Sequence, residues 1–188
     1  MKSLLLVLPF VLLISCQSSQ NRSAGEQSAV EVKDPHSFAK PNQAVVKHLE
    51  LDLKVDFERK QLSGAASWTI EKQPGIDEII FDTHDLLIEK VTTDGKEASF
   101  LVGGKDQYLG QPLKVKIGAE TKTVTIYYST STNAAALQWL TPNQTSGKRR
   151  PFLFTQSQAI LARTWIPCQE SPAIRFTYDA TVAVPSDL

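Results

Sequence analysis

From Val45 the chain alternates apolar and polar positions with a period of two. Leu49, Leu51, Leu53, Val55 and Phe57 are separated by Glu50, Asp52, Lys54 and Asp56, the pattern of a strand with one dry face and one wet face. A polar turn at 58–61 reverses the chain, and Leu62, Gly64, Ala66, Trp68 and Ile70 then share one side of a second strand, so the two predict a hairpin. Pro74-Gly75 ends it, and two short apolar runs follow at 79–81 and 86–91, around Asp82, Thr83, His84 and Asp85. Asp94-Gly95 tolerates the positive φ angles of a tight turn and predicts a hairpin between 87–91 and 98–102. Further strands are expected at 113–117 and 123–129, where Thr, Val, Ile and Tyr dominate. A last strand over 174–184 places Ile174, Phe176, Tyr178, Ala180, Val182 and Val184 on one face. Many short strands and no segment with a sustained helical period predict an all-β domain, an antiparallel β-sandwich or saddle-shaped sheet.

The stretch 135–172 breaks this rhythm. It holds Trp139, a Thr141-Pro142 step, a turn at Thr145-Ser146-Gly147-Lys148, an apolar Phe152-Leu153-Phe154 run, the spaced glutamines Gln156 and Gln158, and then Arg163 through to Pro172. Such a mixture reads as a long ordered loop that carries a site while the strands position it.

Ahead of the domain lies a leader. Lys2 precedes an apolar run at 4–14 that is too short to cross a bilayer as a stable helix, and Leu13-Ile14-Ser15-Cys16 resembles a bacterial lipobox. Residues 1–15 are read as a lipoprotein signal peptide, with Cys16 lipidated and first in the mature chain. Residues 16–43 are read as a disordered tether, since 17–29 are rich in Ser and Gln with almost nothing to bury, and 44–188 as the β-sandwich domain. An ordinary secretory peptide cleaved nearby is the alternative, and export follows from both. The lipidated form would be anchored to a membrane through Cys16, periplasmic or facing the outer membrane, and Gln17 after the cysteine favours the latter.

Acidic and basic residues number 20 each, which excludes a nucleic-acid partner read from charge. With Cys16 lipidated, Cys168 has no partner for a disulfide within the mature chain and reads as a small buried hydrophobe. His36, His48 and His84 are scattered without ligand spacing. Lys148, Arg149 and Arg150 read as a solvated turn and Arg163 as an ion pair with Glu170 or Asp179. Trp68, Trp139 and Trp165 form no ladder for a sugar and read as anchors.

The strings LQWLTPNQTSGK and PFLFTQSQAI, with Pro167-Cys168-Gln169-Glu170-Ser171-Pro172 ahead of a strand, resemble the end of the amino-terminal domain in the leukotriene hydrolase branch of the M1 zinc aminopeptidases. The resemblance implies an all-β amino-terminal domain and, in the full-length enzyme, a catalytic zinc. It also implies that Gln158 projects into the catalytic cleft, its amide helping to hold the amino terminus and first residue of a peptide substrate, with Gln156 close by. An amide suits that task because it offers an acceptor for an ammonium and donors for a carbonyl. The zinc-binding HExxH helix and the GxMEN exopeptidase motif do not occur in the sequence; in the family's order both lie after position 188, so no cofactor and no catalytic residue is expected within this chain. The leading expectation is the non-catalytic amino-terminal domain of an exported zinc aminopeptidase, walling one side of the cleft and packed against the catalytic domain of the same enzyme. The competing one is a free-standing, lipid-anchored β-sandwich that binds a peptide or sugar or serves structurally. Epoxide hydrolase activity does not follow from these residues.

Overall fold

A computed structural model describes residues 34–186 and 188; the leader, Cys16 and most of the tether lie outside the described residues. The two long strands predicted first form β1 (Ala44–Asp56) and β2 (Gln61–Lys72), an antiparallel hairpin paired along its length. Its inward residues Leu49, Leu51, Leu53, Val55, Leu62, Ala66, Trp68 and Ile70 are all buried, as the period of two dictates. The phase breaks at Lys47, where a bulge shifts the register between Val46 and His48. Ala44 and Val46 therefore point inward with Leu49, whereas Val45, expected on the buried face, is half-buried. Gly64 has φ +154°, and a Cβ there would run into the Asp52 carbonyl oxygen of the neighbouring strand, so only glycine allows this approach.

Four more strands of six or seven residues follow along the chain: β3 (Glu78–Thr83), β4 (Leu87–Thr93), β7 (Gln111–Lys116) and β8 (Thr123–Ser129). Between β4 and β7 lie the short β5 (Lys96–Glu97) and β6 (Phe100–Val102). With a final strand β11 (Thr177–Ala183), six of them form one sheet in the order β11-β1-β2-β8-β4-β5, and three form a second in the order β3-β7-β6. The inner faces of both sheets contribute to one hydrophobic cluster centred on Trp68 and Phe81, whose rings lie 6.2 Å apart. The all-β sandwich expected from the sequence is the fold observed.

Two strands differ from expectation. Asp94-Gly95 makes the predicted tight turn, with φ 48° and 78°, but the hairpin lasts only two residue pairs, Thr92 with Glu97 and Thr93 with Lys96. One more bond joins the Ala98 N–H to the Val91 carbonyl; next to it β4 bulges between Ile88 and Lys90, and the chain crosses to the second sheet, where β6 pairs with β7. The expected strand 98–102 thus belongs to the other layer. The last strand is shorter than 174–184, pairs parallel to β1, and presents Tyr178 and Val182 to solvent.

Packed structure also begins earlier than the sequence pattern suggested. Ser37, assigned to the tether, is buried with its hydroxyl on Asp82, so residues 34–43 lie on the domain.

The core holds one orphan. Among the described residues Tyr128, on β8, is buried with no hydrogen-bond partner for its hydroxyl, and burial, reinforced by the nearby Cys168, pushes its phenol pKa upward. A buried unpaired hydroxyl costs on the order of 1–3 kcal/mol. Tyr128→Phe is therefore expected to raise the melting temperature by a few degrees or leave it unchanged; a clear drop in a thermal melt would mean that the hydroxyl has a partner.

Candidate functional site

The loop 135–172 is ordered by two devices, a hairpin and a buried polar knot. Residues of its apolar runs pair as β9 (Leu137–Leu140) and β10 (Phe152–Thr155), joined through a 3-10 turn at Pro142–Gln144. Gln144 closes that turn by accepting the Thr141 N–H at 2.9 Å. Trp139 packs edge-on against Phe57, with ring centroids 5.5 Å apart.

The knot is built on Asp82, which follows Ile79, Ile80 and Phe81 on β3 and is fully buried. Its Oδ2 accepts the Ser37 hydroxyl at 2.6 Å and the Glu170 N–H at 2.9 Å, and its Oδ1 accepts the Phe38 N–H at 2.7 Å. Arg163, also fully buried, lies over it with Nη2 3.9 Å from Oδ2. The arginine fork is filled: Nε donates to Glu170 Oε2 at 2.7 Å, Nη1 to the Leu109 carbonyl at 2.9 Å, and Nη2 to the His36 carbonyl at 2.7 Å. Glu170 Oε1 in turn accepts the Ala162 N–H at 2.7 Å, where a 3-10 turn (Ala162–Thr164) begins. Burial raises the Asp82 carboxyl above the usual aspartate range, opposed by the Ser37, Phe38, Arg163 and Glu170 contacts.

Gln169 supplies a second tie. Its Oε1 accepts the Val46 N–H at 3.0 Å, while Nε2 donates to the Ala44 and Ile80 carbonyls at 3.0 and 3.1 Å. It thereby serves backbone groups of Ala44 and Val46 on β1 ahead of His48, where the pairing with β11 begins. Trp68 Nε1 donates to the Pro167 carbonyl at 2.9 Å, and Cys168 exchanges backbone hydrogen bonds with Asp82. Cys168 is buried, and burial drives its thiol pKa well up, which makes it inert as a nucleophile.

On this base sits the short exposed segment that carries both predicted glutamines. The Gln156 N–H donates to the Ala136 carbonyl at 2.9 Å, and its side-chain Oε1 accepts the Gln158 N–H at 3.1 Å. Gln158 is exposed, and its peptide bond to Ala159 is cis. Ser157 anchors the segment from inside, accepting from Trp165 Nε1 at 3.1 Å. Beside Ala159 and Ile160 runs an open, largely apolar groove of about 590 Å³ that reaches His36, Glu170 and Phe176. The structure therefore brings Gln156 and Gln158 together on one fixed surface segment.

Of the two partners considered for Arg163, the structure selects Glu170; Asp179 instead lies 3.4 Å from His48. Arg163 is remote in environment from Lys148, Arg149 and Arg150, which are exposed in a turn with Lys148 at φ 49°. The three tryptophans serve packing and hydrogen bonding. Asp82 escaped the sequence reading because it was grouped with Asp85 in an acidic turn; the available signal was a carboxylate placed directly after three strongly apolar residues. Among the described residues no three His, Cys, Asp or Glu side chains converge to hold a metal ion, so zinc has no fitting donor set here.

Residues 45–188 match the Peptidase M1 N-terminal domain. The chain is 41% identical over 162 residues to leukotriene A-4 hydrolase from Xenopus laevis, covering 82% of this chain and 26% of that protein. It is 36% identical over 161 residues to leucine aminopeptidase 2 from Sclerotinia sclerotiorum, covering 81% of this chain and 26% of the relative. Among solved structures, leukotriene A4 hydrolase from Saccharomyces cerevisiae superposes with a TM-score of 0.76 at 31% identity, over 84% of this chain and 26% of that one. An M1 zinc metallopeptidase from Deinococcus radiodurans shares the fold, with a TM-score of 0.55 at 17% identity over 77% of this chain and 33% of that one. The chain thus spans about a quarter of the length of the curated relatives it matches.

The knot makes a stability prediction. Arg163→Met removes the counter-charge of one buried and one largely buried carboxylate and is expected to destabilise the domain by about 3–5 kcal/mol, read from urea midpoints. Pairing it with Glu170→Gln should cost less than the sum of the single changes. A loss under about 1 kcal/mol for Arg163→Met would show that the pair contributes little.

Proposed function

The chain belongs to the Peptidase M1 N-terminal domain family, and from that premise we propose that it forms one wall of the substrate cleft in an exported zinc aminopeptidase that removes residues from the amino termini of peptides. The observation that carries this reading is the arrangement of Gln156 and Gln158: exposed side chains on a segment fixed from beneath by the Arg163, Glu170 and Asp82 knot. The backbone of a segment held this way is pre-organised, so less of its freedom remains to be lost when it meets a ligand. The Gln158 amide oxygen accepts from the ammonium of a bound peptide, and its NH2 donates to the first carbonyl. Gln156, whose Oε1 accepts the Gln158 N–H, holds the backbone two residues on and adds a second amide to the same surface.

Zinc belongs to the catalytic part of such an enzyme, which this domain contacts through the loop 135–172 and the groove beside Ala159. This chain's residues bind and orient substrate and exclude water from its amino end. Water activation falls to the catalytic part of the enzyme.

Export and anchoring form part of the same proposal. The signal at 1–15 would direct export and be removed, and the lipidated Cys16 with the tether that follows it would then hold the domain at a membrane surface.

In an enzyme containing this domain, Gln158→Ala is expected to lower kcat/KM for peptides by roughly ten- to a hundred-fold, the effect of losing about 1.5–3 kcal/mol of hydrogen bonding to a charged group. Its melting temperature should stay unchanged, and Gln158→Glu should be milder. Parental kinetics in the alanine variant would remove the substrate role.

For anchoring, Cys16→Ser is expected to release the protein from membranes or to leave the precursor uncleaved, and mass spectrometry of the parent should find an acylated Cys16. Membrane fractionation identical to the parent, with no lipid detected, would refute the anchor.

A further inference from the structure

The family match begins at residue 45, yet the knot beneath the glutamines is closed by residues that lie ahead of it. Residues 34–39 form a strap on the domain, and a turn at 40–43 joins it to β1. Asp34 Oδ1 accepts the His36 N–H at 2.8 Å and Ser37 Oγ accepts the Ala39 N–H at 3.0 Å, so the strap is shaped by its own short side chains. Three consecutive residues then serve the knot with three different groups. His36 offers its carbonyl to Arg163 Nη2, Ser37 its hydroxyl to Asp82 Oδ2, and Phe38 its N–H to Asp82 Oδ1.

The knot is incomplete without them. Of the three hydrogen bonds that the Asp82 carboxylate accepts among the described residues, two come from the strap and the Glu170 N–H supplies the third. Arg163 Nη2 has its short bond, 2.7 Å, to His36 and only a long one, 3.4 Å, to the Glu170 carbonyl. Removing the strap would leave a buried carboxylate and a buried guanidinium short of partners, a costly state that entering water or movement of the neighbouring residues must relieve.

Movement there reaches the glutamines by a short path. The Glu170 carboxylate accepts the Ala162 and Arg163 N–H groups at 2.7 and 3.2 Å, which seats the 3-10 turn of Ala162–Thr164. Just ahead of that turn the Leu161 N–H donates to the Ser157 carbonyl at 2.9 Å, and just after it the Trp165 indole holds the Ser157 hydroxyl. Within the turn, the Thr164 hydroxyl accepts the Ala136 N–H at 3.2 Å, and the Ala136 carbonyl accepts the Gln156 N–H. Both ends of the glutamine segment therefore hang from residues seated on the knot.

We propose that the strap is part of the foundation of the binding surface and that Ser37 is a positioning residue: its hydroxyl, through Asp82 and the Arg163–Glu170 pair, sets where the segment 156–161 holds Gln156 and Gln158. The positioning stands on the contacts above, whereas its consequence for peptide cleavage rests on the substrate role of Gln158. A chain cut ahead of Ala44 would retain every strand among the described residues and lose all three groups that the strap supplies.

The test is made in an enzyme containing this domain, by hydrogen exchange read segment by segment and by peptide hydrolysis. Ser37→Ala is expected to speed exchange over 156–163 by roughly ten-fold, while 49–70 on β1 and β2 stays within about two-fold of the parent. Ser37→Cys, whose thiol is a weaker donor of similar size, should fall between alanine and the parent. Thr121→Val is the control: it deletes another buried hydroxyl, one that accepts the Gly118 N–H at 2.9 Å in the turn before β8, and should leave 156–163 unchanged. In hydrolysis Ser37→Ala should lower kcat/KM by roughly three- to ten-fold, but by less than about two-fold in a Gln158→Ala background, where nothing is left to position. Parental exchange over 156–163 in Ser37→Ala overturns the proposal. So does acceleration spread equally over 49–70 or shared by Thr121→Val, which marks general loosening. A kinetic loss of equal size with and without the Gln158 amide also overturns it, since Ser37 would then act elsewhere. Parental kinetics in Gln158→Ala alone would remove the substrate role, and the exchange pattern would still decide whether Ser37 positions the segment.

Discussion

Everything on the functional side of this domain depends on the burial of one arginine between two carboxylates. Arg163 and Asp82 are wholly withdrawn from solvent and Glu170 nearly so, an arrangement with a heavy desolvation cost that only full hydrogen bonding offsets. That condition is met here through backbone partners as much as through the ion pair, since the guanidinium also reaches the Leu109 and His36 carbonyls. The carboxylates, for their part, accept the Phe38, Ala162 and Glu170 amides. An apolar substitute of equal volume could fill the space but would leave these peptide groups unsatisfied. The knot thus determines the path of three separate segments, near residues 36, 109 and 163, at a single point.

That determination is what gives the exposed glutamines a fixed setting. A loop free at both ends would present Gln156 and Gln158 in many orientations, and binding would have to order it first. Here the hairpin of β9 and β10 holds one end and the 3-10 turn of Ala162–Thr164 the other, with five residues between Thr155 and Leu161. Ser157 and the Trp165 indole join the segment to its base from within. Rigidity below and polarity above is the division of labour expected where strands carry a binding surface.

The sequence made the hairpin of β1 and β2 readable because inward and outward side chains alternate without interruption from Leu49 to Val55 and from Leu62 to Ile70. It was silent on the bulge at Lys47, which changes the phase through the backbone and leaves only the two polar residues between Val46 and Leu49 as a trace. It also misassigned the partner of β6, since periodicity reports which side chains share a face and carries nothing about which sheet a strand joins. The final strand exposes the same limit: its apolar face was legible, yet whether a second layer covers that face depends on distant residues. At the site, Gln156 and Gln158 were found through a run of matching residues. Asp82, Ser37 and Gln169 were not, because their importance arises from contacts made across 45 to 125 positions of chain.

The parallel pairing of β1 with β11 has a consequence for the order in which the domain is assembled. β1 is an inner strand, yet its second neighbour comes 129 residues later, as the contact of His48 with Thr177 records. Gln169 repeats the constraint by serving the amide of Val46 from 123 positions away. A chain emerging from its amino end can form the β1 and β2 hairpin at once but must keep the other side of β1 unpaired until nearly the whole domain has appeared. Closing loops of that length is slow, because the entropy is lost before the contacts are gained. The first strand made is therefore among the last of the domain to be completed, and for most of the domain's synthesis it is an open, half-apolar edge that requires shielding from its neighbours.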